Sequence, residues 1–372
     1  MDLSLSSTRV SRRAGPAVAV AKGLPASLVL AGASISLFGL AWDAQWHSDV
    51  GPDTFFTLPH LFLYAGSAIA GLVSLYVVLV TTAAARAGRP IDPEAGGRSI
   101  GVLRGTFKAP LGYLVSGVGA ASFLMYGLWD LWWHQLYGFD AVIDSPPHVG
   151  LLLSITVSMI GAVIVFAAAK DQMWSLAGLV AGAAVLLAFN TLTTLALQML
   201  GDSVDAVGVG MAFFAVVLLL TVASLTRRPL VMVGIGVALG AVQAVLWWFA
   251  PLATRLYAAS IDLPMRDFVS GLPTMAALIP MGVVLAGALM AGVLRVTRSS
   301  QPWPAPPLAG GLGGLLLTLA NPVQQSLVYG VPMPEAGFLL GSGVVGSVVG
   351  VVGGFLGWRF GLMLRQLTPQ EG

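Results

Sequence analysis

All four histidines of this chain fall in two copies of one pattern. The first copy runs Trp42-Asp43-Ala44-Gln45-Trp46-His47 and continues to Pro59-His60. The second runs Trp129-Asp130-Leu131-Trp132-Trp133-His134 and continues to Pro147-His148. In each, an Asp precedes the first His by four residues, and a second Asp (Asp53, Asp140) follows that His by six. Helical side chains at i and i+4 stack a turn apart on one face, so Asp43 projects with His47 and Asp130 with His134. A tight hairpin brings His60 or His148, at the start of the next helix, beside them. Two imidazoles and a carboxylate with open positions form a metal-ligand set. The candidate ligands are therefore Asp43, His47, His60, Asp130, His134 and His148.

Asp53 and Asp140 fit two roles: partners that orient an imidazole N–H, or solvated loop acids. Trp46 and Trp133 suit the aromatic belt of a membrane interface and a wall that keeps water from the ligands. Metal binding is one of three readings of the clusters. Asp/His pairs inside membranes also relay protons or make structural hydrogen bonds. Convergence of the same ligand types in two matching copies favours metal. With no Cys in the chain, thiolate sites and disulfides are excluded. Imidazole suits copper, zinc and iron, and the divalent affinity order favours copper, with zinc or non-haem iron as the alternatives.

The surrounding elements are those of a membrane protein. The 372 residues are 57% hydrophobic and 9% charged, against about 25% charged in soluble domains. The net charge of +2 is spread over short loops, which is no footprint for nucleic acid. About 20 mostly apolar residues make a span. That rule predicts an all-α, polytopic protein with ten spans, at roughly 26–46, 57–82, 109–133, 148–169, 174–199, 207–226, 229–250, 270–294, 306–328 and 337–358. Sixteen of the 18 Lys and Arg residues then fall on one side, with only Arg255 and Arg266 on the other. By the positive-inside rule both termini are cytoplasmic and both histidine clusters face the extracytoplasmic side of the plasma membrane.

The chain divides accordingly. Residues 1–25 form a cytoplasmic tail, 26–83 a first metal-site hairpin, 84–108 a cytoplasmic linker and 109–170 a second metal-site hairpin. Residues 171–298 hold four further spans, and 299–372 a proline-rich linker with the last two spans and the C-terminal tail. Asp43 and Asp130 are 87 residues apart. Two spans separate the starts of their units, so the units insert in the same sense as a parallel repeat. The later hairpins carry Asn190, Gln198, Asn321, Gln325 and Glu335 but no His; such groups commonly bond helix to helix.

The string Asp43 to Ser48, then Asp53-Thr54-Phe55-Phe56-Thr57, then Pro59-His60-Leu61-Phe62-Leu63-Tyr64, resembles the C subunit of the copper membrane monooxygenases, the particulate methane and ammonia monooxygenases. That family's copper motif is Asp, three residues, His, twelve residues, His, which Asp43, His47 and His60 match. A neighbouring family motif is Asn, three residues, His, thirteen residues, His. Asp130, His134 and His148 have that spacing, with Asp in place of Asn. The resemblance covers residues 28–168, under half the chain, and the rest adds about six spans. It implies paired intramembrane copper sites, oxidation of a small apolar molecule with dioxygen, a quinol as electron donor, and other membrane or periplasmic subunits. Nothing in the chain resembles the family's cupredoxin-like subunit, on which activity there depends. Copper uptake, storage or transfer, and metal-free proton-coupled transport, are the alternative functions.

Overall fold

The computed structural model describes residues 23–51, 53–138, 145–201, 203–267, 280–297 and 304–367. Among them are ten α-helices: α1 (Gly23–Asp49), α2 (Leu58–Arg86), α3 (Leu111–Tyr137), α4 (Pro146–Ala168), α5 (Met173–Thr193), α6 (Ala206–Thr226), α7 (Val231–Ser260), α8 (Pro280–Val296), α9 (Ala305–Tyr329) and α10 (Ala336–Leu364). Each expected span coincides with one of them. Eight of the ten expected spans are helices long and apolar enough to cross a bilayer; α8 is a shorter apolar helix, and α9, with Asn321, Gln324 and Gln325, falls short of that apolarity. The chain is thus an all-α, multi-pass membrane protein, and lipid is its environment. Without water, only a helix satisfies its own backbone hydrogen bonds in such a segment.

Two hairpins, α1–α2 and α3–α4, stand side by side with α2 against α3. Helices α4, α5 and α6 are the most enclosed, α10 packs on α6 and α9, and α7 joins the first hairpin through α1. Glycines bring the hairpin helices close. A methyl group on Gly32 would stand 2.6 Å from the Gly66 carbonyl oxygen, and one on Gly119 would meet the Ser158 backbone nitrogen. Both glycines lie eleven residues before the cluster Asp (Asp43, Asp130), so the repeat extends into the packing. Facing serines, Ser36 with Ser67 and Ser116 with Ser158, sit 3.4 and 3.2 Å apart across the two hairpins. In lipid, helix association depends on such close backbone approach and on interhelical hydrogen bonds.

Some boundaries depart from expectation for physical reasons. α7 runs to Ser260, ten residues past its expected end, through Pro251 and Arg255. Ala250, Thr254 and Ala258, four residues apart, are buried, and Tyr257 on that stretch packs on Trp42 and Trp46 of α1. The linker before α3 carries an antiparallel strand pair, β1 (Ser99–Val102) and β2 (Phe107–Pro110), in register Ser99 to Pro110. Span patterning gave no sign of it. Pro306 and Pro307, expected in an extended linker, sit in the first turn of α9, where a missing N–H costs nothing. Arg9, Arg12, Arg13, Lys22, Asp202 and the start of the eighth expected span lie outside the described residues.

Glycines also bring α9 onto α10. A methyl group on Gly310 would meet the Gly350 carbonyl, and one on Gly314 the Gly346 carbonyl. Gly310→Val should lower the thermal unfolding midpoint in detergent, equivalent to about 1–3 kcal/mol of overpacking. Gly337→Ala, where a methyl meets nothing within 4 Å, should leave it unchanged or raise it slightly.

Candidate metal centre

Each cluster forms where a hairpin turns. At the first, α1 ends in Asp43 and His47, and the chain returns through Asp53 to His60 in the first turn of α2. The return is fixed by a small turn. The Thr57 hydroxyl accepts from the Thr54 N–H at 2.6 Å and donates to the Thr54 carbonyl at 2.7 Å. Pro59 sits at the N-terminus of α2, where its fixed φ suits a helix start. At the second, Ser145 caps α4, its hydroxyl accepting from the His148 N–H at 3.4 Å, and two prolines, Pro146 and Pro147, open the helix.

The ligand atoms converge. At the second cluster, Asp130 Oδ1 lies 3.3 Å from His134 Nε2 and 3.3 Å from His148 Nε2, and the two Nε2 atoms are 3.4 Å apart. Three corners of a tetrahedron with a centre-to-corner distance of about 2.0–2.1 Å stand roughly 3.3–3.4 Å apart. The observed triangle has those edges, and a tetrahedral ion there would keep its fourth position free. At the first cluster, Asp43 Oδ1 is 3.1 Å from His60 Nε2 and 3.8 Å from His47 Nε2. Asp53 Oδ2 is 3.2 Å from His60 Nε2 and 3.5 Å from His47 Nε2. Asp53 therefore faces both imidazoles on the same footing as Asp43, within the ligand group.

Tautomers explain why these contacts leave the carboxylates unsatisfied. Asp43 Oδ1, Asp53 Oδ2 and Asp130 Oδ1 are buried with no hydrogen-bond donor, although imidazole nitrogens stand within 3.8 Å of each. His60 Nδ1 is 3.0 Å from the Thr54 carbonyl, and His134 Nδ1 is 3.1 Å from the Gly138 carbonyl. A carbonyl only accepts, so both Nδ1 atoms carry a proton, and whenever either ring is neutral its Nε2 is an acceptor. A lone pair then faces a carboxylate oxygen, acceptor against acceptor. A cation between them resolves that apposition, as does a protonated ring or an Nε2–H donated by His47 or His148. Metal-bound imidazoles are commonly held in this way, by an N–H donated to a carbonyl. The residues present thus fit a metal ion.

The two clusters belong to one neighbourhood. Asp43 is within electrostatic reach of His148, and Asp130 of His60 and Asp53. Tyr64 lies between them. Its ring stacks on His60 at 6.1 Å and packs on Phe123 of α3 at 5.9 Å, and it feels the charge of Asp43, Asp53 and Asp130. Below it, a cavity of about 840 Å³ runs between α2 and α3, lined by Phe55, Tyr64, Ala68, Leu72, Leu124 and Gly127 among others. Its lining is almost wholly apolar.

The tryptophans and later polar residues have other places. Trp46 is fully buried and packs on Tyr257 of α7 at 5.0 Å. Trp133 packs on Tyr137 and Trp129 along its own helix. Gln324 accepts from the Gly282 N–H at 3.1 Å, tying α9 to α8, and Asn190 and Asn321 are buried within the bundle. Asp140 lies outside the described residues. Sequence reasoning did not find Tyr64 as the link between clusters. Its position four residues after His60, on the same helical face, was the available signal.

No protein-family model, curated protein or solved structure matches the chain. The residues themselves therefore carry the functional reading.

Zinc, a closed-shell probe, should bind at about two ions per chain, one for each Asp/His group. His134→Ala should remove one of them. A residue that only orients an imidazole costs about 10–100-fold in affinity. Asp53→Asn should therefore weaken the first site by more than about 100-fold, and Asp43→Asn by a similar factor. A loss below tenfold by calorimetric titration would place Asp53 outside the ligand group.

Proposed function

We propose that the protein is a membrane copper protein that binds copper at Asp43/His47/His60 with Asp53, and at Asp130/His134/His148, and that it oxidises a small apolar molecule with dioxygen. The observation that carries this reading is the convergence of imidazole nitrogens on buried carboxylate oxygens in both hairpin corners. Three further points support it. Imidazole-rich sets favour copper among the divalent ions. The two motifs resemble the paired copper sites of the C subunit of the copper membrane monooxygenases. The apolar cavity between α2 and α3 reaches Tyr64, beside both clusters, and supplies a path for an apolar substrate.

Bound copper would supply the dioxygen chemistry. The chain's own residues do the rest. Thr54 and Gly138 carbonyls hold His60 and His134 in the tautomer that offers Nε2. Phe55, Tyr64 and Phe123 exclude water from one side of the clusters and give an apolar substrate its walls. An external reductant, such as a quinol, and partner subunits are part of this proposal. So is the orientation, with the clusters extracytoplasmic and both termini cytoplasmic, which rests on the distribution of Lys and Arg.

A second reading is supported by the distances themselves. Separations of 3.1 Å between Asp43 and His60, and of 3.3–3.4 Å among Asp130, His134 and His148, also suit a proton relay without metal. Elemental analysis of detergent-purified protein separates the two. About two coppers per chain, lost in a His47→Ala/His134→Ala double variant, are expected, followed by reductant-dependent dioxygen consumption in the loaded protein. No bound metal after copper loading would leave the relay. Copper bound without dioxygen consumption, together with copper flux into proteoliposomes that His60→Ala abolishes, would instead make the protein a copper carrier.

A further inference from the structure

At the end of the bundle away from the clusters, three chain segments meet around a second cavity. Lys170, Asp171 and Gln172 come from the α4–α5 connection, with Met173 and Leu176 following on α5. Leu225, Thr226, Arg227 and Arg228 come from the end of α6, and Arg365 from the end of α10. The cavity has a volume of about 200 Å³. It lies roughly 30 Å from His148 along α4, at 1.5 Å per residue.

Its charge is one-sided. Four cationic side chains line it against a single carboxylate, and that carboxylate, Asp171, is already paired with Lys170 at 2.9 Å. Among the described residues no acid answers Arg227, Arg228 or Arg365. Arg365 donates to the Ser224 and Leu225 carbonyls at the end of α6, which fixes its guanidinium on the cavity wall within electrostatic reach of Arg227. Like charges held together this way repel unless an anion joins them. Arg227 is held there although its φ of +57° is a left-handed conformation that favours glycine.

We propose that this cavity binds a phosphate group. With Lys170 paired to Asp171 and Arg365 held by backbone carbonyls, the forks of Arg227 and Arg228 have no acid among the described residues, and planar forks match phosphate oxygens in pairs. The walls are amphipathic. Leu176 and Leu225 back the cations, and Met173 is 77% exposed at the rim, where an acyl chain would lie. Basic pockets between spanning helices take anionic lipid headgroups in this way. A lipid phosphodiester and free phosphate share the chemistry, and the cavity accommodates either.

The test uses the intact chain, delipidated in detergent, with bound lipid counted by native mass spectrometry. Phosphatidylglycerol, phosphatidylcholine and inorganic phosphate are titrated separately and in competition. Wild-type protein should retain phosphatidylglycerol at least about tenfold more tightly than phosphatidylcholine, at roughly a factor of five per cation engaged. Arg227→Gly/Arg228→Gln should abolish that preference. The glycine relieves the left-handed backbone, so the fold should survive, and an unchanged thermal midpoint verifies it. Lys170→Gln, which leaves the α6 end untouched, should reduce the preference by a smaller factor. Competition by millimolar phosphate would assign the site to free phosphate, and its failure to compete would assign it to lipid. Equal retention of both lipids by wild type with no phosphate effect overturns the proposal, as does a preference unchanged in the folded double variant.

Discussion

Everything at the clusters follows from one electrostatic constraint: buried acceptors facing buried acceptors. Asp43, Asp53 and Asp130 each hold a carboxylate oxygen out of water with no donor, and the nearest polar atoms are imidazole nitrogens. Burying a carboxylate away from any positive charge costs several kcal/mol. Positive charge at the convergence point, from an ion or an imidazolium, offsets that cost most fully. The backbone enforces this arrangement. The Thr54 and Gly138 carbonyls occupy the Nδ1–H of His60 and His134, so those rings cannot turn a proton toward the carboxylates unless they become cationic. Two loop carbonyls thereby define what the hairpin corners are able to bind.

Holding the corners requires that the helices approach closely and do not slide. Gly32 against Gly66 and Gly119 against Ser158 set the separation within each hairpin. The Ser36–Ser67 and Ser116–Ser158 pairs fix the vertical register, which matters because one turn of slip, about 5.4 Å, would separate the ligands entirely. The first hairpin has an additional brace. Trp42 and Trp46 share Tyr257 of α7, and the Arg266 N–H donates to the Asp49 carbonyl at 2.8 Å. The Gln45 side chain donates to the Asp49 carboxylate at 2.8 Å on the same turn. The face of α1 opposite the ligands is therefore occupied by packing, which frees Asp43 and His47 to point at α2.

Much of this was legible in the sequence, because lipid leaves few structural options. Apolar runs of about 20 residues must be helices, and i, i+4 spacing on a helix fixes which side chains share a face. Hence the ten helices and the pairing of Asp43 with His47 and Asp130 with His134 were readable. Pro59 and Pro147 marked where the return helices start. What spacing could not convey was direction in the turns. Asp53 reaches the ligand group because the Thr54–Thr57 turn folds it back, and no helical period describes that. Trp46 reads as a wall of the site, but it is a turn away from Trp42 on the face that meets α7, a partner some 210 residues distant in the chain. The cationic cavity was invisible for the same reason. Its Lys170, Arg227 and Arg365 come from three separate chain segments, each of which looks alone like an ordinary positive flank of a span.

Charge also couples the two clusters. Asp130 lies within reach of Asp53 and His60, and Asp43 within reach of His148, beside the packed rings of Tyr64, Phe55 and Phe123. In such a medium charges act over longer range than in water. The described ligands bring three negative charges, two at the first cluster and one at the second. A divalent ion at each would leave the pair with one excess positive charge, whereas a divalent ion at the first and a monovalent ion at the second would leave none. Binding at one corner therefore alters the affinity of the other, and the coupling is reciprocal. An ion with two accessible charge states fits this arrangement better than one with a fixed charge of two.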